Sequence, residues 1–229
     1  MRTQAHADST AAPRRGSSGL AALCGIVGVI ALGVYFGAAP PLPPLGASLS
    51  QVTDVGRRYH DVLFLGAWLQ ATGTLLCVVF LVALVQMAGA ATRLAGLLTV
   101  VGAATLLAVA AIEGAFTIDW AQAASNGHEA AAVTSYDVMS VFVHVFPVAP
   151  APLLYLSLGV VLLDAAVLPR PFAYLALVLG AAFAIVGLSG LFAATVLTLA
   201  VVGSQSLWIL AAAVTVLAGA ARQRDGKRP

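Results

Sequence analysis

Charge is what this chain lacks. Of its 229 residues only 9% are Asp, Glu, Lys or Arg, while 61% are hydrophobic; an ordinary soluble domain carries roughly 25% charged residues. A chain of this size with so few charges cannot cover its own surface in water. That excludes a soluble enzyme, a nucleic-acid binder and a disordered protein together. Cysteine is scarce as well. Cys24 and Cys77 lie inside apolar runs, where they read as small core residues and not as a disulfide or metal frame. Lysine occurs once, at Lys227, beside ten arginines, and with the abundant alanine this points to a GC-rich bacterial genome. The net charge of +2 is small and scattered over segment ends, so no nucleic-acid partner follows.

Long hydrophobic runs are what the chain has. A bilayer core of about 30 Å requires about 20 apolar residues in a helix. Six stretches meet this, at 19–38, 62–88, 94–116, 133–163, 172–202 and 205–221. Pro147, Pro150 and Pro152 break the fourth, which is read as one bent helix. The expected fold is therefore all-α: a polytopic membrane bundle of six transmembrane helices over 19–221. Residues 1–18 form a disordered tail and 222–229 a basic one. The first apolar run is near 20 residues, longer than the 7–15 typical of a secretion signal, so it reads as a span.

Orientation follows from the basic residues. With the N-terminus inside, nine Lys and Arg lie on the inner side and only Arg57 and Arg58 on the outer. Both termini are then cytoplasmic, in a bacterial plasma membrane. The loops at 39–61 and 117–132 face outward, the first opening with a stiff, extended stretch from Pro40 to Pro44. Trp120 and Trp208 are expected at the outer interface. Gly33 and Gly37 form a small-xxx-small pair suited to close helix packing inside the chain, or between copies in a homo-oligomer.

Ionisable residues away from the inner rim carry the functional information, since each costs about 2.5–3.5 kcal/mol at mid-membrane. They share a side. Glu113 lies near the outer end of the third helix, Asp137 near that of the fourth, and His144 about 10 Å deeper at 1.5 Å per residue. His60 and Asp61 stand at the outer mouth of the second helix, while His128 and Glu129 fit a plain loop surface. Asp137, Ser140 and His144 fall on one narrow helical face. Such a stripe must face protein, and if it meets Glu113 it forms an outward-facing carboxylate and imidazole pocket.

Aromatic side chains gather on the same side. Trp68, Phe142 and Phe146 lie deeper than an interfacial belt, and with Phe64, Phe116 and Tyr136 they can line that pocket. This equipment suits acid–base work on an apolar molecule such as a lipid or isoprenoid, by cyclisation or isomerisation. Glu113 or Asp137 would give the proton and His144 act as base or orienter. His60, Asp61, Phe64, Trp68, Phe116, Tyr136, Ser140 and Phe142 would contact the substrate. Three other readings stand beside it: a proton-coupled small-molecule transporter, a metal site built from His60, Glu113, Asp137 and His144, and a structural or accessory subunit. A structural part also suits Asp137 as a solvated residue and His60 with Asp61 as a helix start.

Other motifs drop out. Neither a two-histidine zinc-protease pattern nor a Gly-rich phosphate loop occurs. Gly187 to Gly190 match the short rhomboid nucleophile motif, but no histidine follows on a later helix to serve as base. Two-haem cytochromes need paired histidines, and only His144 lies well within a span. None of these motifs therefore implies a cofactor or a metal. LGAWLQATGTLL with LVALVQMAGAATRLAGLLT, and VFVHVFPVAPAPLLYLSLG, resemble a group of bacterial six-helix integral membrane proteins to which no activity is assigned. The resemblance covers about half the chain, implies the fold, and carries over no catalytic residue.

Overall fold

A computed structural model describes residues 16–44, 46–144, 150–188 and 195–225. These residues form eight helices with no strand among them. In chain order they are α1 (Gly16–Ala38), α2 (Leu49–Arg58), α3 (His60–Met87), α4 (Leu94–Ser125), α5 (Glu129–His144), α6 (Pro150–Asp164), α7 (Arg170–Leu188) and α8 (Thr195–Asp225). Five segments, in α1, α3, α4, α7 and α8, are long and apolar enough to cross a membrane. Their outward faces carry large apolar side chains such as Val27, Leu65, Leu97, Val178 and Ile185, as a lipid-facing surface requires and a water-facing one does not tolerate. The chain is thus a multi-pass helical membrane protein.

Glycine sets the closest approach in the bundle. A Cβ at Gly28 would stand 2.7 Å from the Gly73 carbonyl and 2.8 Å from Cys77 Sγ, so α1 and α3 touch backbone to backbone there. Gly33 and Gly37 do not share this role, because nothing lies within 4 Å of a Cβ placed at either. The internal contact expected of them is made one to two turns earlier in α1. The main core below this crossing joins Phe80, Leu81, Leu84, Leu154, Tyr155, Leu158 and Trp208, from α3, α6 and α8.

α4 is the spine. Its 32 residues extend about 48 Å at 1.5 Å per residue, well beyond a hydrocarbon core of about 30 Å. α5 and α6 both run antiparallel along it, α5 by the pairs Trp120–Tyr136 and Phe116–Phe142. α6 does so through the Thr99–Ser157 hydrogen bond of 2.9 Å and through Gly102, whose Cβ would meet Leu154 at 2.9 Å. From Trp120 back to Thr99 is 21 residues, and from Tyr136 on to Ser157 is also 21. The antiparallel register is therefore the same on both sides of the proline segment. Residues 145–149, including Phe146 and Pro147, lie outside the described residues.

The end of α4 beyond the main bundle builds a second layer. Residues 117–132, expected as a loop, continue α4 to Ser125, turn at Gly127 with φ 78°, and enter α5 at Glu129. The loop expected at 39–61 likewise contains α2. Ser48 caps that helix by accepting from the Gln51 amide, and the Gln51 side chain accepts from the Ser48 amide in return. α2 packs on α4 and α5 around Trp120, which is fully buried and donates its indole N–H to the Val52 carbonyl at 3.1 Å. Trp120 therefore belongs to a packed core and not to an interfacial belt. Arg57 reaches the Ala124 carbonyl at 3.4 Å, and the Tyr136 hydroxyl donates to the Pro43 carbonyl, fastening the extended proline stretch to α5.

Two further boundaries differ from expectation. Of the 172–202 stretch assigned to span five, 172–188 lie in α7 and 195–202 in the start of α8, with 189–194 outside the described residues. Trp208 is accordingly buried among Tyr155 and Phe172, its indole donating to the Phe172 carbonyl at 3.1 Å in the first turn of α7. That turn lies at the end of the bundle opposite α2, where Arg93 faces Asp164 at 3.9 Å. At the termini, 1–15 and 226–229 lie outside the described residues; α1 already begins at Gly16 and α8 continues to Asp225.

Candidate functional site

Glu113 is the acid that the fold buries. It sits on the inward face of α4 with 5% exposure, enclosed between α3 and α1. The Gln70 side chain of α3 and the Tyr35 hydroxyl of α1 are the polar groups next to its carboxyl. Small residues permit this convergence. A Cβ at Gly66 would press on the Tyr35 ring at 3.2 Å, and Gly114 rests against Ala67. Gln70 is 6% exposed, and its Oε1 finds no hydrogen-bond partner. That bare acceptor belongs to the side chain next to the carboxyl.

Asp137 stands elsewhere. It is exposed on α5, off the face that buries Ser135, Tyr136, Met139 and Ser140. Antiparallel pairing sets it nearly level with Asp119, about 9 Å beyond Glu113 along α4 at 1.5 Å per residue. The narrow stripe thus divides: Ser140 turns inward and donates to the Asp137 carbonyl at 2.8 Å, while the Asp137 side chain turns outward. His144 ends α5, and its side chain lies outside the described residues.

His60 and Asp61 pair with each other at 2.8 Å where α3 begins, with the Asp61 side chain fully exposed and the His60 ring 4.6 Å from Phe64. Trp68 is 61% exposed on the outward face of α3 and lines no interior wall. Phe64 and Phe116 pack under the α2 layer with Tyr136, and Phe142 stacks on Phe116 at 6.4 Å. Of this aromatic group, Phe116 stands one turn from Glu113 along α4. Asp119 accepts from Ser135 in the same layer. Among the described residues no three His, Cys, Asp or Glu side chains come close enough to hold a metal ion.

Two members of the buried cluster escape a reading based on charge. Tyr35 passes for an interfacial aromatic, and Gln70 is uncharged. A signal for Gln70 exists nonetheless: Gln70, Thr74 and Cys77 recur at helical spacing within an apolar span, and a mid-span amide must face protein. In comparisons with protein-family models, curated proteins and solved structures, nothing matches the chain. Function is therefore read from the residues themselves.

Proposed function

We propose that the chain is a six-crossing protein of a bacterial plasma membrane that binds an apolar molecule through one polar group, with Glu113 as the anchor. The nine-to-two bias of basic residues supports cytoplasmic termini. The shared register of α5 and α6 along α4 supports counting them together as the sixth crossing.

The observation that carries the binding reading is Gln70 Oε1, a buried acceptor without a partner next to a buried carboxyl. An orphaned polar atom costs about 1–3 kcal/mol, and an intramembrane acid adds to that. A cluster serving only as helix glue would close its hydrogen bonds internally. Left open, it offers a ligand both a proton and a pair of acceptors. Binding is placed ahead of catalysis because Asp137 contributes no second acid here. Where the bound molecule carries a basic or unsaturated centre, Glu113 is the group that would protonate it.

Organic extraction and mass analysis of purified protein test this. A single apolar molecule in near-stoichiometric amount is expected from the wild type, and its loss from Glu113→Gln with unchanged thermal unfolding. Identical mixtures of bulk lipid from both proteins would overturn the reading.

A further inference from the structure

The chemistry left open around Glu113 is one-sided. Gln70 Oε1 can only accept, and so can the Glu113 carboxylate once its proton has passed to a basic ligand. The protein groups next to it, the Gln70 side chain and the Tyr35 hydroxyl, are uncharged. Among the side chains that the structure describes, no cation neutralises it. Arg57 is bonded to the Ala124 carbonyl, Arg58 lies over the Tyr59 ring, Arg93 faces Asp164, and Arg170 and Arg222 are exposed at helix ends. His60 is held by Asp61, and His128 is exposed. What this site lacks is positive charge and hydrogen-bond donors, delivered together.

We propose that the site takes a lipophilic primary or secondary amine in its ammonium form, seated between the Glu113 carboxylate and Gln70 Oε1. This rests on the binding reading above and names the class of ligand. An alcohol would supply one donor and leave the proton on Glu113, whereas an amine takes that proton and becomes an ammonium with charge and two or three donors at one atom. The surroundings suit such a head group. The Tyr35 ring lies against Gly66 and Phe116 stands one turn along α4, so aromatic faces border the charge. The apolar remainder of the ligand has lipid-exposed neighbours in Leu65, Trp68 and Ile112 on the adjoining faces of α3 and α4.

The probe is dansylcadaverine, a fluorescent primary amine, set against N-pentyl dansylamide, which has the same chain without the amine. Both are titrated into purified full-length protein in neutral detergent and followed by emission shift. Wild-type protein is expected to bind the amine at least tenfold more tightly than the neutral analogue. Glu113→Gln should erase that preference, and Gln70→Met, which keeps the carboxylate, should weaken the amine threefold or more while leaving the analogue unchanged. Equal binding of the two probes by the wild type, no binding of either, or an undiminished preference in Glu113→Gln would each overturn the proposal. If extraction nonetheless yields an apolar molecule that Glu113→Gln loses, the binding reading stands and only the assignment to amines falls.

Discussion

Gly56→Ala measures how firmly α2 is held to the end of α4. The added Cβ would stand 2.8 Å from Ala124 Cβ and 2.8 Å from Trp120 Nε1, where ordinary contacts lie near 3.5–4.0 Å. Relief requires α2 to move out by about 0.7–1.2 Å on that scale. The Trp120 to Val52 hydrogen bond, now 3.1 Å, would then stretch beyond bonding range. Overpacking costs about 1–3 kcal/mol. Orphaning a fully buried indole N–H costs about 1–3 kcal/mol more. Replacing Gly by Ala inside a helix returns up to about 1 kcal/mol, so the net is a loss of about 3 kcal/mol. That is roughly a hundredfold increase in the detached population of α2. Amide hydrogen exchange in proteoliposomes reads it directly: α2 should exchange about a hundredfold faster while the middle of α3 keeps its protection. Exchange in α2 within threefold of wild type would refute the packing argument, because a rigid contact at 2.8 Å leaves the substitution no silent route.

Three further outcomes are expected. Gly28→Val should destabilise the bundle by about 3 kcal/mol or more, since its neighbours are the Gly73 carbonyl and Cys77 Sγ at 2.7 and 2.8 Å, whereas Gly33→Val, in open space, should stay within about 0.5 kcal/mol; unfolding in SDS checks both. A double-mutant cycle of Thr99→Val and Ser157→Ala, whose hydroxyls bond at 2.9 Å, should give a coupling of about 0.6 kcal/mol. In a Cys24→Ala, Cys77→Ala background, a cysteine at Asn126 should react with impermeant maleimide on intact cells, and one at Ala166 only after permeabilisation; the reverse pattern would invert the assigned orientation.

The fold and the site were legible in the sequence to different depths. Apolar run length placed the bundle because the bilayer dictates it, and Glu113 stood out because an intramembrane acid has so few excuses. α2 escapes a reading by composition although Ser48 and Gln51 spell a capping box, since the preceding prolines and its polar residues suggest a loop. Hydropathy also ended the third span at Phe116, while α4 continues to Ser125 as a helix beyond any plausible hydrocarbon core. The outward turn of Asp137 beside inward Ser140 illustrates the limit of helical-wheel reasoning. Relative angle is fixed by the sequence period, but the absolute rotation of α5 is set by Trp120 and Tyr136 packing against each other at 4.9 Å. Trp208 is likewise placed by packing, with Tyr155 and Phe172 around its ring, which composition does not reveal.

The central claim is that Tyr35, Gln70 and Glu113 hold a ligand and do not hold the helices together. A triple variant, Tyr35→Phe with Gln70→Leu and Glu113→Leu, removes every polar atom of the cluster while keeping its shape. Replacing a whole buried polar set by apolar groups is commonly neutral or stabilising, by about 1–4 kcal/mol. The measurement is thermal unfolding of this variant together with extraction of its bound molecule. Stability equal to or above wild type with the molecule lost is the predicted result. A variant that is destabilised by more than about 2 kcal/mol and still retains the molecule would show the cluster to be structural and contradict the claim.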